Sequence, residues 1–193
     1  MRAPARLALP ALLALAASGL ALSGCRARPP AAATSEPKAV ENATLGLAIR
    51  PLPPGFEVAE NAGDRLRFDA TLDGVPGSAA IAVGPPEPAG INLVAESKAW
   101  GEAAARAPGG KFFGGNQLVT PTGDAYTVRA LVDGGQTEER RVFMLHPGGG
   151  DRLLTLTLRY PPGDATVANG RLRQLIDLLG ALEPFSDPGA ARN

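Results

Sequence analysis

The one cysteine of this chain, Cys25, closes an apolar run near the start and separates what is removed from what can fold. Residues Met1 to Arg6 carry Arg2 and Arg6 and no acid. From Leu7 to Leu22 the chain is almost wholly Ala and Leu, interrupted by Pro10, Ser18 and Gly19. A bilayer span needs about 20 apolar residues, and this run is shorter. A basic start, a short apolar stretch and small residues at its end form the pattern of a secretory signal rather than a transmembrane helix. Residues 1–24 are therefore expected to be a signal peptide, and any fold is built downstream of them.

The run Leu22-Ser23-Gly24-Cys25 resembles the lipobox of bacterial lipoproteins. In that family the cysteine thiol is joined to a diacylglyceryl group and the signal is cut just before it. The resemblance implies that Leu22, Ser23 and Gly24 are read by the signal peptidase and that Cys25 is the lipidation site. A secreted domain uses cysteines in pairs for disulfides, so a lone one needs another purpose. Stable anchoring takes two lipid signals, and a diacylated cysteine carries both chains. The expected location is the cell envelope, lipid-anchored through Cys25. Arg26, where the enterobacterial sorting rule would need Asp for inner-membrane retention, implies the periplasmic face of the outer membrane in a host with two membranes. Otherwise it is the outer face of the plasma membrane.

Of the 193 residues, 24 precede Cys25, so 169 remain. That suits one domain with a tail. The whole chain has 19 basic and 19 acidic side chains, and loss of Arg2 and Arg6 leaves a slight acidic excess. Such a balance implies no basic face, and nucleic acid is not an expected partner.

Residues 25–44 hold Pro29, Pro30 and Pro37 among Ala, Ser and Thr. They cannot bury enough surface to offset ordering entropy and are expected to be a tether. Its stretch from Arg26 to about Asn42, in a polyproline II form at about 3.1 Å per residue, would reach roughly 50 Å. A single α+β domain is expected over residues 45–185, with a disordered tail at 186–193.

Within the domain, Leu45, Leu47 and Ile49 alternate as a strand, stopped by Pro51, Pro53, Pro54 and Gly55. Phe56 and Val58 begin a short extended piece. Leu66, Phe68 and Ala70 alternate with Arg65, Arg67 and Asp69 as a half-exposed strand. Asp73-Gly74 is a hairpin turn signal, and Ser78 to Val83 reads as the next strand. Asn92 is placed to cap a helix over Leu93–Arg106, with Leu93, Ser97, Trp100, Ala104 and Ala107 on one face. Trp100 is expected to anchor that helix to the sheet, the alternative being a ligand-stacking role. Gly109-Gly110-Lys111-Phe112-Phe113-Gly114-Gly115 lacks the Ser or Thr that a phosphate loop needs after its lysine. It is expected to be a flexible crossing loop, with an anion site as the alternative.

Three strands then run in series: Tyr126 to Asp133, Glu139 to His146, and Leu153 to Tyr160. In the last, Leu154, Leu156, Leu158 and Tyr160 share one face. Asp164 or Asn169 caps a terminal helix whose stripe is Ala168, Leu172, Leu175, Ile176, Leu179 and Leu182. Arg171, Arg173, Gln174 and Asp177 lie away from the stripe, and Pro184 ends the helix.

This order resembles the Mog1/PsbP-like fold. The likeness rests on Leu47-Ala48-Ile49 leading to Leu52-Pro53-Pro54-Gly55-Phe56, on the Trp100 helix, and on the closing helix from Leu172 to Leu182. It implies an antiparallel sheet of about six strands flanked by helices. That family includes uncharacterised bacterial lipoproteins, and it carries over no binding residue.

No residue set names a reaction. His146 is the only histidine. With no nucleophile in a Gly-x-Ser-x-Gly elbow, it is expected at the surface of a strand end. A single His and a single Cys give little for a metal site, and Asp64, Asp69 and Asp73 fit no calcium-loop spacing. Glu138 and Glu139 are adjacent on a strand and must face opposite ways. Glu139 and Arg141 share a face and are expected to form an exposed ion pair. The chain is thus expected to be a non-catalytic binding or assembly module with a protein partner in the envelope and no cofactor. An envelope hydrolase, or a structural subunit of a membrane complex, is the alternative.

Overall fold

The computed structural model describes residues 38–72 and 74–185. The expected signal peptide, Cys25, the tether up to Pro37, Asp73 and the tail from Ser186 lie outside the described residues. Among the described residues ten strands and two α-helices follow in order. They are β1 (Val40–Asn42), β2 (Leu47–Ile49), β3 (Phe56–Ala62), β4 (Arg65–Leu72), β5 (Val75–Pro86), α1 (Leu93–Arg106), β6 (Lys111–Thr120), β7 (Gly123–Val132), β8 (Thr137–Leu145), β9 (Arg152–Tyr160), α2 (Ala165–Gly180) and β10 (Leu182–Pro184).

Seven strands form one antiparallel sheet in the order β3-β4-β5-β9-β8-β7-β6. The register sets Leu66 beside Ile81, Ile81 beside Leu156, and Leu156 beside Val142. Alternate side chains face opposite sides of a sheet, so these rows line one surface. Leu154, Leu156, Leu158, Val142 and Met144 are all fully buried there. Leu175, Leu178 and Leu179 of α2 complete the same core, together with Leu47 and Ile49 of β2 and Leu182 of β10. The small sheet β1-β2-β10 lies over this core with α2. On the opposite surface α1 packs mainly on β6, β7 and β8.

Both helices begin where a side chain captures a free backbone N–H. Asn92 Oδ1 accepts from Ala95, and Asp164 Oδ1 accepts from Val167. These caps satisfy amides that have no partner inside the helix. Gly101 faces the sheet from α1, where a Cβ would come within 2.5 Å of the Phe112 ring. The absent side chain is what lets the helix approach. Gly55 has φ +85° and lies against β4, whose Thr71 N–H donates to the Gly55 carbonyl at 2.7 Å. Any side chain there would meet Thr71 O, so this turn requires glycine.

The fold class agrees with the sequence expectation, and several elements differ. Val40–Asn42, expected in the tether, is a strand: it pairs with Leu47–Ile49, and Asn42 Oδ1 accepts from Leu45 N–H at 2.8 Å. The expected crossing loop after Gly110 is the edge strand β6. A register shift between Phe112 and Gly114 breaks its alternation, which hides the strand from a period-two reading. The terminal helix stops at Gly180, and Leu182–Pro184 returns as β10 against β2. Ile176, expected in the buried stripe, is 45% exposed, and Leu178 takes its place in the core. Arg171, expected outward, is 2% exposed.

Candidate functional site

The chemistry of this domain is concentrated in two polar clusters, one on each side of β8. Glu138 and Glu139 face opposite ways, as adjacent strand residues must. Each is buried, and each is held by arginines.

On the α2 side, Glu138 is 1% exposed. It accepts a two-pronged hydrogen bond from Arg129, with Nε to Oε1 at 2.7 Å and Nη2 to Oε2 at 2.8 Å. The Tyr160 hydroxyl donates to the same carboxylate at 2.9 Å. Register explains the meeting: Glu138 sits opposite Tyr160 on β9 and opposite Leu131 on β7, one diagonal step from Arg129. Burial pushes the Tyr160 hydroxyl above its ordinary pKa, which keeps it a donor. Arg129 is held above its ordinary value by the hydrogen bond to Glu138. Arg171 reaches over from α2, with its guanidinium carbon 3.8 Å from the centre of the Tyr160 ring and Nη1 donating to Pro161 O at 2.9 Å.

Arg140, one strand position further along, is 7% exposed. Its Nη2 lies 3.4 Å from Ala168 O, and its buried Nε has no partner among the described residues. The buried hydroxyl of Thr127 is also without one. Arg140, Thr127 and Arg129 line a cleft of about 300 Å³ between β6, β7 and the start of α2, with Gly115, Asn116 and Asn169 around its rim.

On the α1 side, Glu139 is 4% exposed rather than part of the expected exposed pair. Arg141 binds it, and Arg159 Nε lies 3.0 Å from its other oxygen. Arg159 extends to Asp133 at 2.6 Å. The Arg141 guanidinium stacks 4.8 Å from the Trp100 ring centre. Trp100 thus joins α1 to β8 through a cation as well as through packing. Arg141 and Arg159 enclose Glu139 on the surface where α1 packs, a consequence of tertiary packing that strand alternation cannot show.

A second, apolar groove of about 530 Å³ runs between the Pro53-Pro54 turn, the β6–β7 hairpin and the outer side of α2. Leu118, Val119, Pro121 and Ile176 line it, and Val119 is 86% exposed.

His146 is not the surface residue expected at a strand end. It is 7% exposed. Gly148 N–H donates to Nδ1 at 3.1 Å, so Nδ1 is the acceptor and Nε2 carries the proton. Nε2 then donates to Leu45 O at 2.9 Å. The 101 positions between the two residues hid this contact from sequence reasoning. Burial pushes the imidazole pKa below its ordinary value, and nearby Arg152 adds to the effect. A second proton on Nδ1 would face the Gly148 N–H. The folded state therefore holds fewer protons than the unfolded chain below about pH 6.5. Stability should be full above that pH and fall as the solution is acidified through it. Urea midpoints measured between pH 8 and pH 5 should drop for the native chain. His146→Gln, which removes the titrating ring, should flatten the slope over this range.

Cys25, Leu22, Ser23 and Gly24 lie outside the described residues, as does Asp73 of the aspartate group considered for calcium. No helix among the described residues is long and apolar enough to cross a membrane. The buried arginines of the α2-side cluster were missed in the sequence. The available signal was the pair Glu138 and Arg140 two positions apart on one strand, on the same face as Arg129.

No protein-family model matches this chain, and no curated protein matches it in sequence. Solved structures do. The Ran-binding protein Mog1p of Saccharomyces cerevisiae superposes with a TM-score of 0.55 at 11% identity, over 76% of this chain and 94% of Mog1p. A mutant form of Mog1 gives a TM-score of 0.56 at 11% identity, over 79% and 97%. The chain has the Mog1 fold. LpqN of Mycobacterium tuberculosis, described as involved in cell envelope biogenesis, shares it with a TM-score of 0.51 at 10% identity, over 72% of this chain and 83% of LpqN. Identities this low concern the backbone arrangement alone.

Proposed function

We propose that this chain is a lipid-anchored, non-catalytic binding module of the cell envelope, tethered through Cys25. The observation that carries the non-catalytic reading is the fate of its chemically capable side chains. The carboxylates of Glu138 and Glu139 are enclosed by arginines, and both nitrogens of His146 are engaged by the backbone. A general acid or base must reach a substrate proton, and these groups are buried and face their own protein partners. The cleft between β6, β7 and α2 is lined by arginine, asparagine, threonine and apolar residues, which suits holding a ligand. The anchor follows from the Leu22-Ser23-Gly24-Cys25 pattern. LpqN, a protein involved in cell envelope biogenesis, offers a precedent for this fold in an envelope-related role.

The test is direct. The native chain should partition into the detergent phase of Triton X-114, and mass spectrometry should find a diacylated Cys25 at the mature N-terminus. Cys25→Ser should leave a longer precursor without lipid. A mature chain that starts at another residue and carries no lipid would remove the anchor from this reading. Hydrolytic turnover by the purified chain, lost on substitution of cleft residues, would replace the binding role with the enzymatic one.

A further inference from the structure

We infer that the cleft between β6, β7 and α2 is a binding site for a phosphoryl group, with Arg140 and Thr127 as its floor. The inference rests on the binding-module reading and gives its ligand a chemical class.

The argument begins with charge. Three guanidiniums, those of Arg129, Arg140 and Arg171, gather on the α2 side around one carboxylate, Glu138. That carboxylate already accepts three hydrogen bonds, two from Arg129 and one from Tyr160. Among the described residues no acid forms an ion pair with Arg140 or Arg171. Buried charges are normally paired, because removing a lone cation from water is costly. Arg171 spends its charge on the Tyr160 ring and the Pro161 carbonyl. Arg140 has one long hydrogen bond, to Ala168 O, and approaches the Tyr160 hydroxyl, but no carboxylate among the described residues pairs with it.

Geometry adds the direction. Arg140 and Thr127 are both more than nine-tenths buried, and each keeps a polar atom without a partner among the described residues. Both line the same cleft. Buried polar atoms in native proteins are nearly always satisfied, so two orphans converging on one opening mark where an acceptor belongs. Asn116 from β6 and Asn169 from α2 bring amides to the rim, and Arg129 stands beside Thr127 on its own strand face. The donors thus approach from four elements. A planar carboxylate offers two oxygens to one side, whereas a phosphate monoester offers three oxygens in a tetrahedral array. Donors spread around the opening fit the latter, and arginine is well matched to it. The volume, about 300 Å³, is at the small end of ligand sites. It admits a phosphoryl group with a short substituent.

The monoester could come from a soluble metabolite or from an anionic lipid head, and both present the same group. Isothermal titration of the full chain in detergent, with inorganic phosphate, glycerol 1-phosphate and dihexanoyl phosphatidic acid, measures the class and separates the sources. Saturable binding of phosphate or either ester is expected, with acetate at matched ionic strength binding at least about ten-fold more weakly. Tighter binding of the phosphatidic acid assigns a lipid source, and tighter binding of glycerol 1-phosphate a soluble one. Arg140→Met should lose about ten-fold or more in phosphate affinity. Thr127→Val, isosteric and therefore safe for the fold, should lose a smaller factor of about three or more. Arg67→Ala on the opposite surface should change nothing. Because Arg140→Met replaces an unpaired buried cation by an apolar chain, it should match or exceed the native stability in phosphate-free buffer. No saturable binding to any phosphate, equal binding of acetate, or unchanged affinity in Thr127→Val would each overturn the assignment.

Discussion

Glu138→Ala is expected to remove about 3–5 kcal/mol of stability, the usual cost of breaking a buried ion pair from one side. The typical whole-domain stability is about 5–15 kcal/mol, so this one substitution should bring the domain close to unfolding. The carboxylate is 1% exposed and holds Arg129 by two hydrogen bonds and Tyr160 by a third. Its removal leaves three guanidiniums on the α2 side of the sheet with no acid among the described residues to balance them. It also leaves the Tyr160 hydroxyl, 22 positions away in sequence, without its acceptor. Glu138→Gln keeps the shape and an acceptor oxygen and should lose less than the alanine variant. Urea unfolding of the three proteins at one pH gives the order. Equal midpoints for the native chain and Glu138→Ala would mean that the pair contributes nothing and that solvent reaches this cluster.

Glu138 also shows how far the sequence reached. Strand alternation places it opposite to Glu139, and that holds. Alternation cannot say what covers each side. Cover comes from α1 and α2, and it turns both carboxylates from exposed groups into buried ones. The same reasoning applies to His146. Its place at the end of β8 is visible in the sequence, but the β1–β2 loop that lands on it is a contact over 101 positions. Local patterns report propensity and faces; they carry no information about long-range closure. Strand β6 failed to show for a different reason. Four glycines and a register shift within or beside it erase the period-two signal, although its pairing with β7 is extensive. Helix α1 was legible to the residue because Asn92, the apolar stripe and Pro108 all mark it locally. The cleft was legible only at one edge, where Gly115 belongs to the stretch weighed in the sequence as an anion site. Thr127, Arg129, Arg140 and Asn169 come from β7, β8 and α2 and belong to no spaced motif.

Leu175→Ala should cost about 2–5 kcal/mol, through lost transfer energy and the cavity left behind. Leu175 is fully buried between α2 and the sheet, in the same cluster as Leu154, Leu156 and Leu158. Its neighbour tests the geometry of the helix. From sequence Ile176 shares the apolar stripe, but the structure turns it outward, 45% exposed, toward the apolar groove. The two are successive residues, about 100° apart on a 3.6-residue helix, so only one of them can point at the sheet centre. Leu178 and Leu179 are fully buried beside Leu175, which fixes the inward side. Ile176→Ala should therefore change stability by well under half as much as Leu175→Ala, and Arg173→Ala, exposed on the same helix, by about 0.5 kcal/mol or less. A helix that instead served mainly as an exposed partner surface would erase the differences in this comparison. Leu175→Ala would then leave the urea midpoint in place while weakening association, and the three midpoints would coincide. The burial of Leu175, Leu178 and Leu179 together argues for the first outcome: deleting one of these closely packed side chains leaves a void that its neighbours cannot fully close.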